Sequence, residues 1–198
     1  MELIPEEQQF LEEIQSWVTN NLGTGISDKF SDTDWTLIVK LHAMVETALN
    51  TAIAAHFKEP ALERIIAKLD TSNMATGKVA FAKALDAISK PSATFIQKLS
   101  ELRNHCVHDI RNFGFTLDAY ESGLEKDKRK ELFKAIEGAM EPQSPAVTLK
   151  DKLFVATITV IASLRVHQMK CHIRDMEIEL IQSKAKRLDA QSQSTPTG

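Results

Sequence analysis

The chain is poor in the features that mark secreted, strand-rich or membrane-inserted proteins. Its 198 residues include only two cysteines, Cys106 and Cys171, far apart in sequence. This argues against a disulfide framework and predicts reduced thiols in a cytoplasmic protein. Glycine and proline are scarce, the prolines fall at segment edges, and aromatics make up 6% of the chain. Alanine and aliphatic residues dominate instead, which predicts an all-α fold. The longest apolar run, Leu153 to Leu164, meets Arg165 at once and is too short to span a bilayer. The opening residues Met1 to Glu7 are acidic, the reverse of a secretory leader, so no membrane partner is expected.

Charge of one sign is also missing. A formal net charge of -3 gives no global basic field and argues against binding of bulk DNA. The absence of a phosphate-binding glycine loop, a nucleophile elbow and an HExxH helix argues against ATPase, serine-hydrolase and zincin chemistry. No cofactor is implied. His167 and Cys171 stand four apart with His172 adjacent, a spacing that offers two zinc ligands. The sequence shows no second ligand pair, so no metal centre is assigned.

What remains is helical periodicity. One helical domain is predicted over 1–190, with a Ser/Thr/Gln/Gly-rich tail at 191–198 read as disordered. A first helix over 5–20 carries Phe10, Ile14, Trp17 and Val18 along one stripe. Ser31 or Asp32 is placed to cap a long helix running to Phe57. Pro60 opens a helix to Leu69, residues 70–77 turn, and a short helix covers 78–88. A further helix spans about 92–109, Asp118 is placed to cap another turn, and 126–140 is amphipathic. From 148 to 190 neither glycine nor proline interrupts the last helix. Its second half is heavily charged and is expected to leave the core.

The helix over 92–109 carries the most informative residues. At 100° per residue, Phe95, Leu99, Leu102, Cys106 and Ile110 form one narrow face, which must be the core side. Arg103 sits at the edge of that stripe, and Asn104 and His108 lie nearly opposite it. Arg103 and His108 are roughly 140° apart on an ideal helix. An arginine supplies a fixed cation for phosphate, and an imidazole can move a proton near neutral pH. Glu46 falls on the apolar face of the long helix, either to accept from an arginine such as Arg103 or to reach solvent at the stripe edge. Lys126, Lys128, Arg129 and Lys130 begin the next helix as a solvated charged run within reach of RNA backbone.

The run Leu99-Ser100-Glu101-Leu102-Arg103-Asn104 through His108-Asp109, with Phe113 to Asp118 after it, resembles the Arg-X4-6-His signature of the HEPN superfamily. It is also similar to the corresponding segment of mannitol-repressor-like proteins. Leu41 to Leu49 resembles the long helix that packs beside that signature, and the likeness covers roughly residues 33–140. The resemblance implies a HEPN-like antiparallel helix bundle acting as a homodimer. It further implies RNA binding, or metal-independent RNA cleavage of the toxin, defence or stress type that leaves 2′,3′-cyclic phosphate ends. His108 would be general acid/base, Arg103 the phosphate cation, and Asn104 would orient the histidine or hold the phosphate. The alternative it implies is a non-catalytic dimeric interaction module or mannitol-repressor-like transcriptional regulator, with an antitoxin or regulatory protein as partner.

Overall fold

The computed structural model describes residues 33–59, 61–108, 114–140 and 148–193. The predicted helix over 5–20 lies outside them. Among the described residues the chain is helical, without strands: α1 Asp34–His56, α2 Leu62–Ile66, α3 Lys78–Ala84, α4 Lys90–Val107, α5 Leu117–Gly123, α6 Lys126–Gly138 and α7 Leu149–Gln193.

The core is built where α1 packs on α7 and on α4, with α6 closing the far side of α4. Leu37, Ile38, Leu41, Val45, Leu49 and Ile53 of α1 are buried against Phe95, Leu99 and Leu102 of α4 and Leu153, Ala156, Val160, Ile161 and Leu164 of α7. Each such aliphatic side chain contributes about 1.5–3 kcal/mol by leaving water. By length and composition α1 would also cross a membrane, with a mean hydropathy of 1.2 over its most apolar window. Its inward residues are nevertheless taken up by packing on α4 and α7.

The helix ends show where local chemistry differs from expectation. Thr33, rather than Ser31 or Asp32, caps α1, and its hydroxyl accepts from the Thr36 N–H at 3.3 Å. Thr116, rather than Asp118, caps α5 by accepting from the Ala119 N–H. In both places the hydroxyl three residues before an orphan N–H wins over a neighbouring carboxylate or hydroxyl. The helix expected to reach Leu69 stops at Ile66. Beyond it, Lys68 and Leu69 donate to carbonyls only three residues back, and the Ala67 carbonyl accepts from the Lys78 ammonium at 3.1 Å.

Residues 70–77 form the predicted turn and set α3 in place. The Asp70 and Asn73 side chains accept from the N–H groups of Asn73, Ala75 and Thr76. Gly77 ends that turn; a Cβ there would lie 2.5 Å from the Asp70 carbonyl oxygen and 2.7 Å from that of Asn73. Ser89 caps α4 with Pro91 in its first turn. The last helix runs on to Gln193, three residues into the segment read as disordered, and 194–198 lie outside the described residues. Its second half does leave the core: Met176, Ile178, Leu180, Ile181 and Leu188 are all exposed.

Candidate functional site

Phe95, Leu99, Leu102 and Cys106 are buried to 1% exposure or less, as the periodicity requires, and Ile110 lies outside the described residues. Their burial fixes the rotation of α4 and leaves Arg103 half-buried at the seam, with Asn104 and His108 exposed. The Arg103 guanidinium donates to the Asn104 side-chain oxygen at 3.0 Å. His108 is the C-cap of α4, and its N–H donates to the Asn104 carbonyl at 3.1 Å. Asn104 therefore touches both predicted partners, one through its side chain and the other through its backbone.

This helix end is pinned from the other side. The Trp35 indole N–H donates to the Cys106 carbonyl at 3.0 Å, satisfying one of the last carbonyls of α4. Asp34 accepts from the Leu117 N–H at 2.8 Å, which ties the start of α1 to the start of α5. His105, next to the motif, packs against Tyr120 and Phe115 with ring centroids 5.1 and 6.1 Å away. The cation and the imidazole thus sit at a helix end held by contacts with α1 and α5. Cys106 is a buried small hydrophobe, its thiol pushed up to about 11 by burial and by Asp34.

Behind Arg103 lies a polar network that periodicity did not reveal. Lys78 is fully buried, and its ammonium donates to Glu46 at 2.5 Å. The Thr71 hydroxyl donates to the same carboxylate oxygen at 2.9 Å. Glu46 thus pairs with Lys78 and Thr71, neither with Arg103 nor with solvent alone. Partial burial pushes the Glu46 carboxyl up, but the bonds from Lys78 and Thr71 outweigh it and hold the group below its ordinary range. His42 completes the network, with Nε2 3.0 Å from the Ser100 hydroxyl. Burial, assisted by the charges of Arg103 and Lys78, lowers the His42 pKa against the opposing pull of Glu46 and Asp70.

Ser100, His42 and Glu46 have the residue types of a hydrolytic triad without its hydrogen-bond directions. The Ser100 hydroxyl donates to the Ile96 carbonyl at 2.9 Å, so His42 Nε2 must donate to Ser100 rather than take its proton. His42 Nδ1 lies 4.0 Å from Glu46, beyond a hydrogen bond. The set is a structural tie between α1 and α4.

Lys126, Lys128, Arg129 and Lys130 are all exposed at the start of α6, the solvated run that was expected. Lys128 pairs with Glu125 at 3.4 Å, and Arg129 pairs with Glu121 while lying over the Phe133 ring. Both cations are therefore partly neutralised by carboxylates. At the other end of α1, His167 and Cys171 of α7 meet His56, a ligand supplied from 111 residues away. No local spacing signals that third residue. No protein-family model, curated protein or solved structure matches the chain.

Proposed function

We propose that the chain is an RNA-directed module of HEPN type, which in a dimer cleaves single-stranded RNA without a metal ion. The supporting observation is the Arg103–Asn104 bond at the end of α4, beside an exposed His108 on a helix whose opposite face is locked in the core. An arginine fixed by a neighbouring amide is ready to meet a phosphate, because less side-chain freedom is lost on binding. In the reaction the RNA 2′-hydroxyl gives up its proton and attacks the adjacent phosphorus. The bond to the 5′-oxygen breaks, and that oxygen takes a proton. His108 serves these transfers, and Arg103 stabilises the charge that builds on the phosphoryl oxygens.

One helix end supplies one motif imidazole, since the neighbouring His105 ring packs against Phe115 and Tyr120. A second copy across a two-fold axis supplies another, so that one ring accepts a proton while the other donates. Lys126 and Lys130 extend the cationic track for the RNA backbone. The biological setting that suits such an activity is a toxin, defence or stress response.

A second reading is favoured by the exposed apolar residues of α7, Met176, Ile178, Leu180, Ile181 and Leu188. They suit a non-catalytic interaction module, of mannitol-repressor-like or antitoxin-bound type, in which the arm carries the partner. Mapping product ends of mixed RNA incubated with the wild type, Arg103→Ala and His108→Ala separates the two. Cyclic phosphates from the wild type, reduced about 10²- to 10⁴-fold in folded variants, support cleavage. RNA that stays intact with the wild type across single-stranded and hairpin substrates moves the assignment to the interaction module.

A further inference from the structure

At the C-terminal end of α1, three ligand-forming atoms converge from two helices. His56 Nδ1 lies 3.3 Å from His167 Nε2, Cys171 Sγ lies 3.6 Å from His167 Nε2, and Cys171 Sγ lies 3.9 Å from His56 Nδ1. His167 and Cys171 are four apart on α7 and so share one face. His56 ends α1, and its ring is nearly parallel to that of His167, within 7°.

Hydrogen bonding among the three does not account for this convergence. Each imidazole nitrogen is either a donor or a single-lone-pair acceptor, never both. If one nitrogen donates to the other, the acceptor's only lone pair is used, and the thiol proton finds no nitrogen to bond. If instead the thiol donates to one nitrogen and accepts from the other, both bonds are to a weak sulfur partner and the two nitrogens share none. At most two edges are hydrogen bonds, yet all three are short.

A cation accounts for all of them. With ordinary Zn–N and Zn–S bond lengths, the edges of a tetrahedral face are ~3.3–3.4 Å between two nitrogens and ~3.6 Å between nitrogen and sulfur. The observed edges follow that order, with the longest off by about a third of an ångström. The geometry points to a zinc site formed by His56, His167 and Cys171, with the fourth coordination position open to solvent. Two imidazoles with one thiolate are the donor set of a borderline-soft divalent ion rather than of calcium or magnesium. Binding displaces the thiol proton to solvent, leaving a zinc-bound thiolate.

The three residues line one cleft of about 690 Å³, together with Asp86, Lys170 and Arg174. Three protein ligands and a vacant position facing a cleft are the arrangement of zinc that holds a water or an incoming anion. Lys170 and Arg174 give that cleft the charge to draw an anion in. This site is separate from the Arg103–Asn104–His108 end of α4 and does not depend on the RNA reading.

The test is titration of the metal-free full chain with Co²⁺ and then Zn²⁺. One Co²⁺ per chain should bind, with intense tetrahedral visible bands and a thiolate-to-cobalt charge-transfer band, and Zn²⁺ should displace it. Cys171→Ser should abolish the charge-transfer band, and His56→Gln should weaken Zn²⁺ binding by about 100-fold or more, beyond what loss of a supporting hydrogen bond costs. His172→Gln, next to Cys171 but exposed, should bind like the wild type. Circular dichroism of each metal-free variant establishes that it folds. A wild type lacking the charge-transfer band overturns the assignment, as does equal Zn²⁺ affinity in the wild type and a folded His56→Gln.

Discussion

Two poles of the same bundle carry histidine chemistry, and they differ in what completes them. At the end of α4, Arg103, Asn104 and His108 are close in sequence, with Arg103 half-buried and the other two exposed, and in the proposed reading a second copy completes the groove. At the end of α1, His56 meets His167 and Cys171 from a distant helix, and one chain supplies every donor. Between the poles, His42, Glu46, Lys78 and Thr71 form a third polar set whose hydrogen bonds are made internally. A satisfied set stabilises; an unsatisfied one invites a ligand. The contrast turns on whether donors and acceptors already have partners, since a histidine stands in all three sets.

The largest effect should come from breaking the satisfied set. Glu46→Ala leaves the fully buried Lys78 ammonium with the Ala67 carbonyl but no counter-charge, and should cost about 3 kcal/mol or more in urea unfolding. Replacing the pair together, Glu46→Leu with Lys78→Met, should recover most of that loss. A single variant as stable as the wild type would mean that the network is not the tie between α1 and α3.

Next in size is the response of the open pole to metal. Zinc at 100 times its dissociation constant should add ~2.7 kcal/mol to stability, and folded Arg103→Ala and His108→Ala proteins should keep that increment. Its loss in either variant would couple the two poles.

A smaller effect follows from pH. The His42 pKa is lowered in the folded chain from the ordinary value of 6.5, so below 6.5 the unfolded chain binds the proton more readily than the folded one. The stability is complete above 6.5 and declines as pH falls through the window beneath it. Unfolding curves in chelator should show this slope, and a folded His42→Gln should have a shallower one. A slope of opposite sign would place His42 in its charged form in the fold. The smallest change should be Thr157→Val. That hydroxyl is fully buried without a partner, so its removal should leave stability unchanged or raise it by about 1 kcal/mol.

The sequence revealed those features that repeat along one helix. The 3.6-residue period placed Phe95, Leu99, Leu102 and Cys106 in the core and Arg103 at its edge, because burial of one face fixes the other. It marked the point where α7 leaves the bundle, since the apolar pattern gives way to charge. Local capping was less legible: Thr33 and Thr116 each stand within two residues of an equally plausible capping side chain, and backbone geometry decides between them. Lys78 was invisible because a lysine's default place is the surface, and only the Glu46 and Ala67 oxygens make its burial tolerable. His56 was invisible for a different reason. Nothing in its own helix signals a ligand, and its partners arrive through packing of α1 on α7. The Arg103–Asn104–His108 end was thus legible as a pattern along one helix, whereas the His56–His167–Cys171 cluster is assembled by the fold and only its His167–Cys171 half has a pattern.

The most direct test of this division is RNA cleavage by the full chain, with and without EDTA, measured for the wild type and His108→Ala at neutral pH. Equal wild-type rates in both conditions, cyclic phosphate ends and loss of cleavage in His108→Ala are predicted. Cleavage that stops in EDTA and returns with zinc would contradict the account and move the chemistry to the opposite pole.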